Sequence, residues 1–327
     1  MRKIVKYCHR PGRHCGSTAL RDLMEFHGYN LTEPMCFGIG QGLGIWYFKN
    51  IPDAPTVLFH GRCYSIDSNF FKNLKIPFGW EQFESSIEST EALIEKIHQN
   101  VPILIQTDIY YLPYFNSSTH FPGHSVIVWG YDDVEKCFFL SDTERKDLLK
   151  VTFEDLERAM FFKGFLEGKG NQFGPKEIKI GYGIKEAIKK ALYENSSEIL
   201  NSNSPNGGIA ALDMWIKEYR NWAYFQDWKW CARFTYQVIE KRGTGGGAFR
   251  LMYSEFLEEA SLYYPEIKQK KLPQLMSKIG NKWRELAYTL KEISEKTKPC
   301  FDPVAPLLSE IKEFEYNYHS QIVQLFE

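Results

Sequence analysis

The sequence predicts an α+β fold: a first domain in which a helix carries a cysteine and an antiparallel sheet carries a histidine and an aspartate, then an all-helical domain. Three observations predict it. Cys15 opens the amphipathic run Ala19 to His27, behind the small residues Gly16, Ser17 and Thr18. Ser125 to Tyr131 and Cys137 to Ser141 are short runs of β-formers joined by the polar stretch Asp132 to Lys136, the pattern of a hairpin that carries His124 and Asp142. Past residue 184 apolar residues recur at helical spacing almost without interruption.

The elements follow in order. After the Cys15 helix come the glycine-rich stretch Gly38 to Gly44, a short strand at Thr56 to His60, a helix at Thr90 to Gln99 and a strand at Pro102 to Thr107. A loop, Asp108 to Pro122, enters the His124 hairpin, and Thr152-Phe153-Glu154-Asp155 reads as a capped helix start. These elements form a domain over residues 1–165. A glycine-rich connection spans 166–183. A helical domain spans 184–327, with segments at Ile184 to Leu200, Asn206 to Ala223, Phe225 to Lys241, Phe249 to Tyr263, Leu272 to Glu295 and Val304 to Leu325. Leu275, Met276, Ile279, Trp283, Leu286, Ala287, Leu290 and Ile293 draw one apolar stripe, which packing explains better than chemistry.

Composition narrows the function classes. Hydrophobic residues at 43% of 327 give ample material for a core, and a net charge of −1 gives no electrostatic case for nucleic acid. No apolar run approaches the ~20 residues of a membrane span, and Met1 to His9 lacks the apolar segment of a signal peptide. Seven cysteines, an odd number without framework spacing, suit a reducing compartment. A cytoplasmic protein with neither a nucleic-acid nor a membrane partner is expected.

The chemistry gathers at Cys15, His124 and Asp142. A thiol in the first turn of a helix sits beside the positive end of the aligned peptide dipoles, which favours the nucleophilic thiolate. If Tyr131 faces Cys137 across the hairpin, Val126 faces Asp142, and His124 shares that face one diagonal step away. Such diagonals lie roughly 7–8 Å apart by backbone, within side-chain reach, whereas a one-residue slip would separate the pair onto opposite faces. The order Cys, His, Asp is similar to that of papain-like cysteine enzymes. Readings without chemistry stand beside this one: Cys15 as a small buried hydrophobe, His124 as a satisfied core histidine, Asp142 as a turn cap. The cluster Cys8, His9, His14, Cys15 suggests zinc, but no CxxC or HxxxH pair completes a four-ligand set, so no metal is expected.

Two glycine-rich segments complete the reading. Gly38 to Gly44 resembles a dinucleotide fingerprint only superficially, since it follows a helix rather than a strand. It is either a loop whose backbone, at Gly40 and Gly42, approaches the active cleft or a structural turn. Gly243 to Gly247 joins two helices between Arg242 and Arg250. Amides near Gly246 with these arginines could hold a phosphate, or the segment is a tight helix–helix turn with Arg250 as an interhelical clamp.

The segments RHCGSTALRDLMEFHG, LTEPMCFGIGQGLGIWY, QTDIYYLPYF, HFPGHSVIVWGYDD and FLSDT resemble the N-terminal domain of the butirosin biosynthesis protein H family. The second half, with EKRGTGGGAFRLMYSEFLEEA, is similar to the uncharacterised helical domain often fused to it. The resemblance implies a papain-like acyltransferase that moves an acyl group from a carrier-protein thioester to an amine, with Cys15 as nucleophile, His124 as base and Asp142 as orienter. The chain departs from papain-like peptidases in lacking a glutamine shortly before the cysteine; His9 stands at about that position and is the candidate oxyanion donor.

The expected chemistry is acyl transfer through a Cys15 thioester in secondary metabolism, from an acyl carrier protein or CoA thioester to a small amine. The donor's phosphopantetheine is part of the substrate, and no separate cofactor is expected. Glu33, Gly40, Gly42, Asp108 and Tyr114 are the candidate substrate residues, the acids and the tyrosine because they suit a cationic amine. Arg242, Gly246 and Arg250 are the candidate phosphate residues. The helical half supplies a wall of the cleft or a homodimer surface. A peptidase or amidase using the same triad on water, and a non-catalytic binding protein of the same fold, are the rival classes.

Overall fold

The structure is a computed structural model that describes residues 1–163 and 167–327. Along the chain run β1 (Arg2–Ile4), α1 (Cys15–Phe26), α2 (Glu33–Ile39), β2 (Leu43–Lys49), β3 (Val57–Arg62), α3 (Ile66–Asn73), α4 (Ser86–His98) and β4 (Ile103–Thr107). Then come β5 (His124–Asp132), β6 (Cys137–Asp142), β7 (Arg145–Thr152), α5 (Phe153–Met160) and β8 (Gln172–Phe173). The helices α6 (Ile184–Leu200), α7 (Gly208–Glu218), α8 (Trp228–Glu240), α9 (Arg250–Ala260), α10 (Pro265–Gln269), α11 (Leu272–Glu295) and α12 (Val304–Phe326) complete the order. An antiparallel sheet followed by a helical C-terminal region is the α+β class expected from the sequence.

The chain divides into two compact units: Met1–Cys36 with Lys75–Gly181, and Phe37–Leu74 with Tyr182–Glu327. The boundary expected at residues 165 and 166 lies outside the described residues. The stretch Phe37–Leu74, expected inside the first domain, groups with the second unit. Its hairpin, β2 with β3, has an apolar face that α7 and α8 cover. Tyr47 on β2 is buried there, stacked on Trp215 and Trp222 with centroids 5.8 and 6.4 Å away, and Trp222 Nε1 donates to its hydroxyl at 2.9 Å. Leaving those rings in water would forfeit some of the largest apolar burial available to a side chain. In α11 the predicted stripe is buried throughout except Leu275, which is half-buried.

In the first unit the sheet runs β7-β6-β5-β4-β8, with β1 also pairing β5. All nine residues of β5 are buried, and α1, α4 and α5 pack against the sheet. Capping starts these helices locally: Ser85 Oγ accepts from Glu88 N ahead of α4, and Thr152 Oγ1 accepts from Asp155 N ahead of α5.

The β5–β6 register corrects the sequence reading and then restores it. Asp132 pairs with Cys137 and Tyr131 with Phe138, one residue away from the expected pairing of Tyr131 with Cys137. A bulge between Val128 and Gly130 absorbs one residue, so Val128 faces Leu140 and Ile127 faces Ser141. Continued one step, that register sets Val126 against Asp142, as the spacing predicts. Trp129, the extra residue, is fully buried, with Nε1 donating to Ser141 Oγ at 2.8 Å. Gly130 completes the bulge, because a Cβ there would lie 2.4 Å from the Lys3 carbonyl oxygen of β1.

Candidate active site

Cys15 is the first residue of α1, and the fold fixes that terminus from two directions. His14 is the N-cap, its Nδ1 accepting from Ser17 N at 3.2 Å, which makes Nδ1 an acceptor and not a proton carrier. The buried Glu33 carboxylate accepts from the backbone amides of Arg13 and His14, each at 2.8 Å, and from Thr18 Oγ1 at 3.2 Å. A carboxylate with two charge-assisted amide bonds beside a helix start is stable where it stands and locks the loop that delivers the thiol.

His124 begins β5, and its Nε2 lies 2.9 Å from both carboxylate oxygens of Asp142 at the end of β6. The imidazole also pairs with Cys15, for which Nδ1 is the nitrogen left. Burial opposes charge on the ring, but the Asp142 carboxylate, then Cys15, outweighs it and raises the His124 pKa to about 10. Asp142 is shifted the other way: burial pushes its carboxyl up, yet the His124 charge and the hydrogen bonds from His124, Tyr114 and Thr143 hold it below the usual range. Both shifts favour an imidazolium–carboxylate pair.

The loop between β4 and β5 forms a wall beside this pair. Asp108, buried, organises it by accepting from Tyr110 N at 3.0 Å, Phe121 N at 2.9 Å and His120 Nδ1 at 2.7 Å. The loop then presents Tyr114, whose hydroxyl donates to Asp142 Oδ2 at 2.6 Å, and Phe115, whose ring stands edge-to-face with His124 at 5.2 Å. Thr143 Oγ1 donates to Asp142 Oδ1 at 2.9 Å. Arg145 holds the loop from behind, donating to the Tyr114 carbonyl at 3.0 Å with its guanidinium over the Tyr114 ring at 5.5 Å.

The structure thus gathers Cys15, His124, Asp142 and Tyr114, and corrects other expectations. His9 cannot serve as the oxyanion donor, because Nδ1 is committed to Asp22 Oδ2 at 2.5 Å and Nε2 to the Arg145 carbonyl at 2.8 Å, with the side chain fully buried. Asp22 in turn accepts from Arg21 Nη2 at 2.8 Å, so the three form a buried strut. Both Asp108 oxygens are already taken, by the Tyr110 and Phe121 amides and by His120, and Glu33 spends Oε1 on the Arg13 and His14 amides with Oε2 3.7 Å from Arg13 Nε, so holding the chain accounts for both acids. Gly40 and Gly42 belong to the second compact unit. There the Cys63 thiol donates to the Gly40 carbonyl at 3.7 Å, and a Cβ on Gly42 would lie 2.4 Å from the Phe37 ring, so close packing accounts for the glycine at 42.

The phosphate reading of the second glycine segment is overturned by burial. Arg250 is 0% exposed and donates to Glu315 at 2.8 Å, to the carbonyls of Gly61 and Ala248 at 2.8 Å each, and to that of Gly44 at 3.1 Å. It is the interhelical clamp. Gly246 N donates to Thr244 Oγ1 at 2.9 Å and Gly247 N to Glu240 Oε2 at 3.1 Å, so the chain's own carboxylate fills the anion position. Gly247 has φ +59°, and a Cβ there would lie 2.5 Å from the Gly280 carbonyl oxygen, so the segment is a tight turn. Arg242 is exposed, donates to Gln237 Oε1 at 3.0 Å and lies over the Phe234 ring.

Sequence reasoning missed the Asp22–Arg21 strut and the roles of Phe115 and Thr143. Only Thr143 carried a signal, as a hydroxyl adjacent to the aspartate.

Residues 14–143 match the family described as Butirosin biosynthesis protein H, N-terminal, and residues 154–322 match a domain of unknown function, DUF4872. No curated protein matches the chain. Cys15, His124 and Asp142 all fall within the first match, and the buried Arg250 clamp falls within the second. The chain belongs to the family that joins an N-terminal domain of the butirosin biosynthesis protein H type to DUF4872.

Proposed function

We propose that this protein is a cysteine-dependent acyltransferase of secondary metabolism, built on a papain-like domain, that moves an acyl or aminoacyl group from a thioester to an amine through a Cys15 thioester. The observation that carries the reading is the bridging imidazole: His124 pairs with Asp142 through Nε2 and with Cys15 on its other side. The family's name supports a role in biosynthesis of a butirosin-like product. No helix among the described residues is long and apolar enough to cross a membrane, in keeping with a cytoplasmic enzyme.

In the first half-reaction the Cys15 proton passes to His124, and the thiolate attacks the thioester carbonyl. Amides of the first turn of α1 receive the oxyanion. The tetrahedral adduct collapses by expelling the donor thiolate, which takes the proton from the imidazolium. In the second half-reaction the amine attacks the Cys15 thioester, His124 takes its proton, and the Cys15 thiolate leaves. Asp142 holds the tautomer and stabilises the imidazolium throughout. The donor is an acyl carrier protein or CoA thioester, whose phosphopantetheine arrives with the substrate, and the enzyme acts as a monomer or homodimer without further cofactor.

The test is incubation with acetyl-CoA followed by mass spectrometry of the Cys15 peptide. An acetyl adduct on Cys15 that an added primary amine discharges as the N-acetyl product supports transfer. Discharge to free acetate at the same rate with and without amine would make the protein a hydrolase instead.

A further inference from the structure

We infer that Tyr114 is a positioning residue for the charge pair: its hydroxyl pins Oδ2 of Asp142 and divides that carboxylate's hydrogen-bonding capacity between itself and His124. The inference rests on the proposed roles of His124 and Asp142. The Tyr114 bond, at 2.6 Å, is shorter than the 2.9 Å contacts from His124 to the same carboxylate. Tyr114 is itself fixed by Arg145, through the carbonyl bond at 3.0 Å and the cation over its ring, so the hydroxyl is delivered by a braced loop. Thr143 does for Oδ1 at 2.9 Å what Tyr114 does for Oδ2. The two hydroxyls hold the carboxylate in the orientation in which both oxygens lie equally close to Nε2.

The chemistry has a definite sign. A hydroxyl bonds most strongly to a carboxylate whose charge is not already drawn off by a cation. The Tyr114 bond is therefore stronger while His124 is neutral and weaker while it is imidazolium. Tyr114 thus favours the neutral ring and moderates the pull of Asp142 on the proton that His124 must give up in each half-reaction. The titratable and charged groups around the ring are Asp142 on β6, Cys15 on α1 and, through Tyr114, Arg145 on β7. Burial and the Asp142 charge hold the Tyr114 phenol well above its ordinary range, so it remains a donor wherever the pair functions.

The experiment follows the His124 imidazole by NMR against pH in the Cys15→Ala protein, which removes the thiolate's own titration. Adding Tyr114→Phe, which keeps the ring against Arg145, is expected to move the His124 midpoint up by about half a pH unit. Thr143→Ala is expected to move it in the same direction. Adding Asp142→Asn is expected to lower it by about 1–3 units, because burial then acts alone. If Asp142→Asn lowers the midpoint but Tyr114→Phe leaves it unchanged or lowers it, the inference about Tyr114 is overturned while the pair stands. If Asp142→Asn itself leaves the midpoint unchanged, the reading of the pair fails.

Discussion

Of the buried histidines that touch a buried carboxylate, His124 and His319 are shifted in opposite directions. His124 in the first unit is drawn toward imidazolium by Asp142. His319 in the second unit lies 3.2 Å from Glu315 Oε2, yet burial prevails and its pKa is lowered. The difference is the third partner. Glu315 already faces the Arg250 guanidinium at 2.8 Å and accepts from Trp283 Nε1 at 2.7 Å, so its charge is balanced before the histidine is considered. Asp142 is held by hydroxyls, which orient it without neutralising it, and leaves its charge to the imidazole. A histidine–carboxylate contact is therefore no signature of a site; what else the carboxylate touches decides whether the ring can hold and pass a proton.

The largest effect that can break this contrast is at the sulfur. Cys15→Ala should abolish any covalent acyl adduct and all turnover, while Cys15→Ser should lose most of it, measured by mass spectrometry and product formation. Full activity in Cys15→Ala would remove the reason for treating His124 as anything but a core residue. The corresponding cut in the second unit is Arg250→Ala, which leaves Glu315 buried and uncompensated. Breaking such a pair costs about 3–5 kcal/mol, so thermal denaturation should show a large loss of stability. A loss below about 1 kcal/mol would show that the clamp is dispensable.

The pH dependence of stability should separate the two histidines by sign. For His124 the folded pKa, about 10, lies above the ordinary value near 6.5, so the folded state binds the extra proton. Its contribution is complete below about pH 6.5 and is lost as pH rises through about 10. For His319 the folded pKa is lowered, so the unfolded chain binds the proton first and stability falls as pH drops below about 6.5. Glu315, lowered to about 2, adds stability above about pH 4.5 that disappears as pH falls through about 2. Asp142→Asn should flatten the alkaline side of a melting-temperature profile and also remove the acid-side stability that the lowered Asp142 carboxyl contributes and loses as pH falls, while the Glu315 contribution remains. An unchanged alkaline slope would mean that the Asp142 charge is not what holds the proton on His124.

What the sequence made legible follows the same division between residue type and partner. Periodicity gave α6 and α11 at Ile184 to Leu200 and Leu272 to Glu295, the same limits as in the structure, because an apolar stripe is a property of one segment alone. The hairpin spacing brought His124 to Asp142 although the expected register at its turn end was off by one. The Trp129 bulge that reconciles the two depends on Ser141 and on the approach of β1, neither of which a strand pattern encodes. Strand β2 was hidden because its glycine-rich approach reads as a loop, and its burial comes from Trp215 and Trp222, about 170 residues away. Glu33 and Asp108 read from the sequence as ligands for a cationic amine, and Arg250 as a phosphate ligand or an interhelical clamp. Their partners are mostly backbone amides and carbonyls, which every residue carries and no motif announces.

The smallest expected effect tests the neutral state of His319 directly. Its Nδ1 lies 3.0 Å from Ser196 Oγ, and its Nε2 faces a carboxylate that can only accept. A neutral ring therefore donates from Nε2 and takes the Ser196 hydroxyl proton at Nδ1, which satisfies both nitrogens without a buried charge. Ser196→Ala removes one neutral hydrogen bond and should cost about 1 kcal/mol, a shift of roughly one to three degrees in melting temperature for a protein of this size. Near pH 8 that cost should be constant. An imidazolium would instead donate to Ser196 from Nδ1, and losing that acceptor would strand a charged donor in the core at roughly twice the cost or more. A loss of several kcal/mol that is full at low pH and shrinks as pH rises would therefore show that His319 carries a proton like His124, and the contrast between the two pairs would collapse.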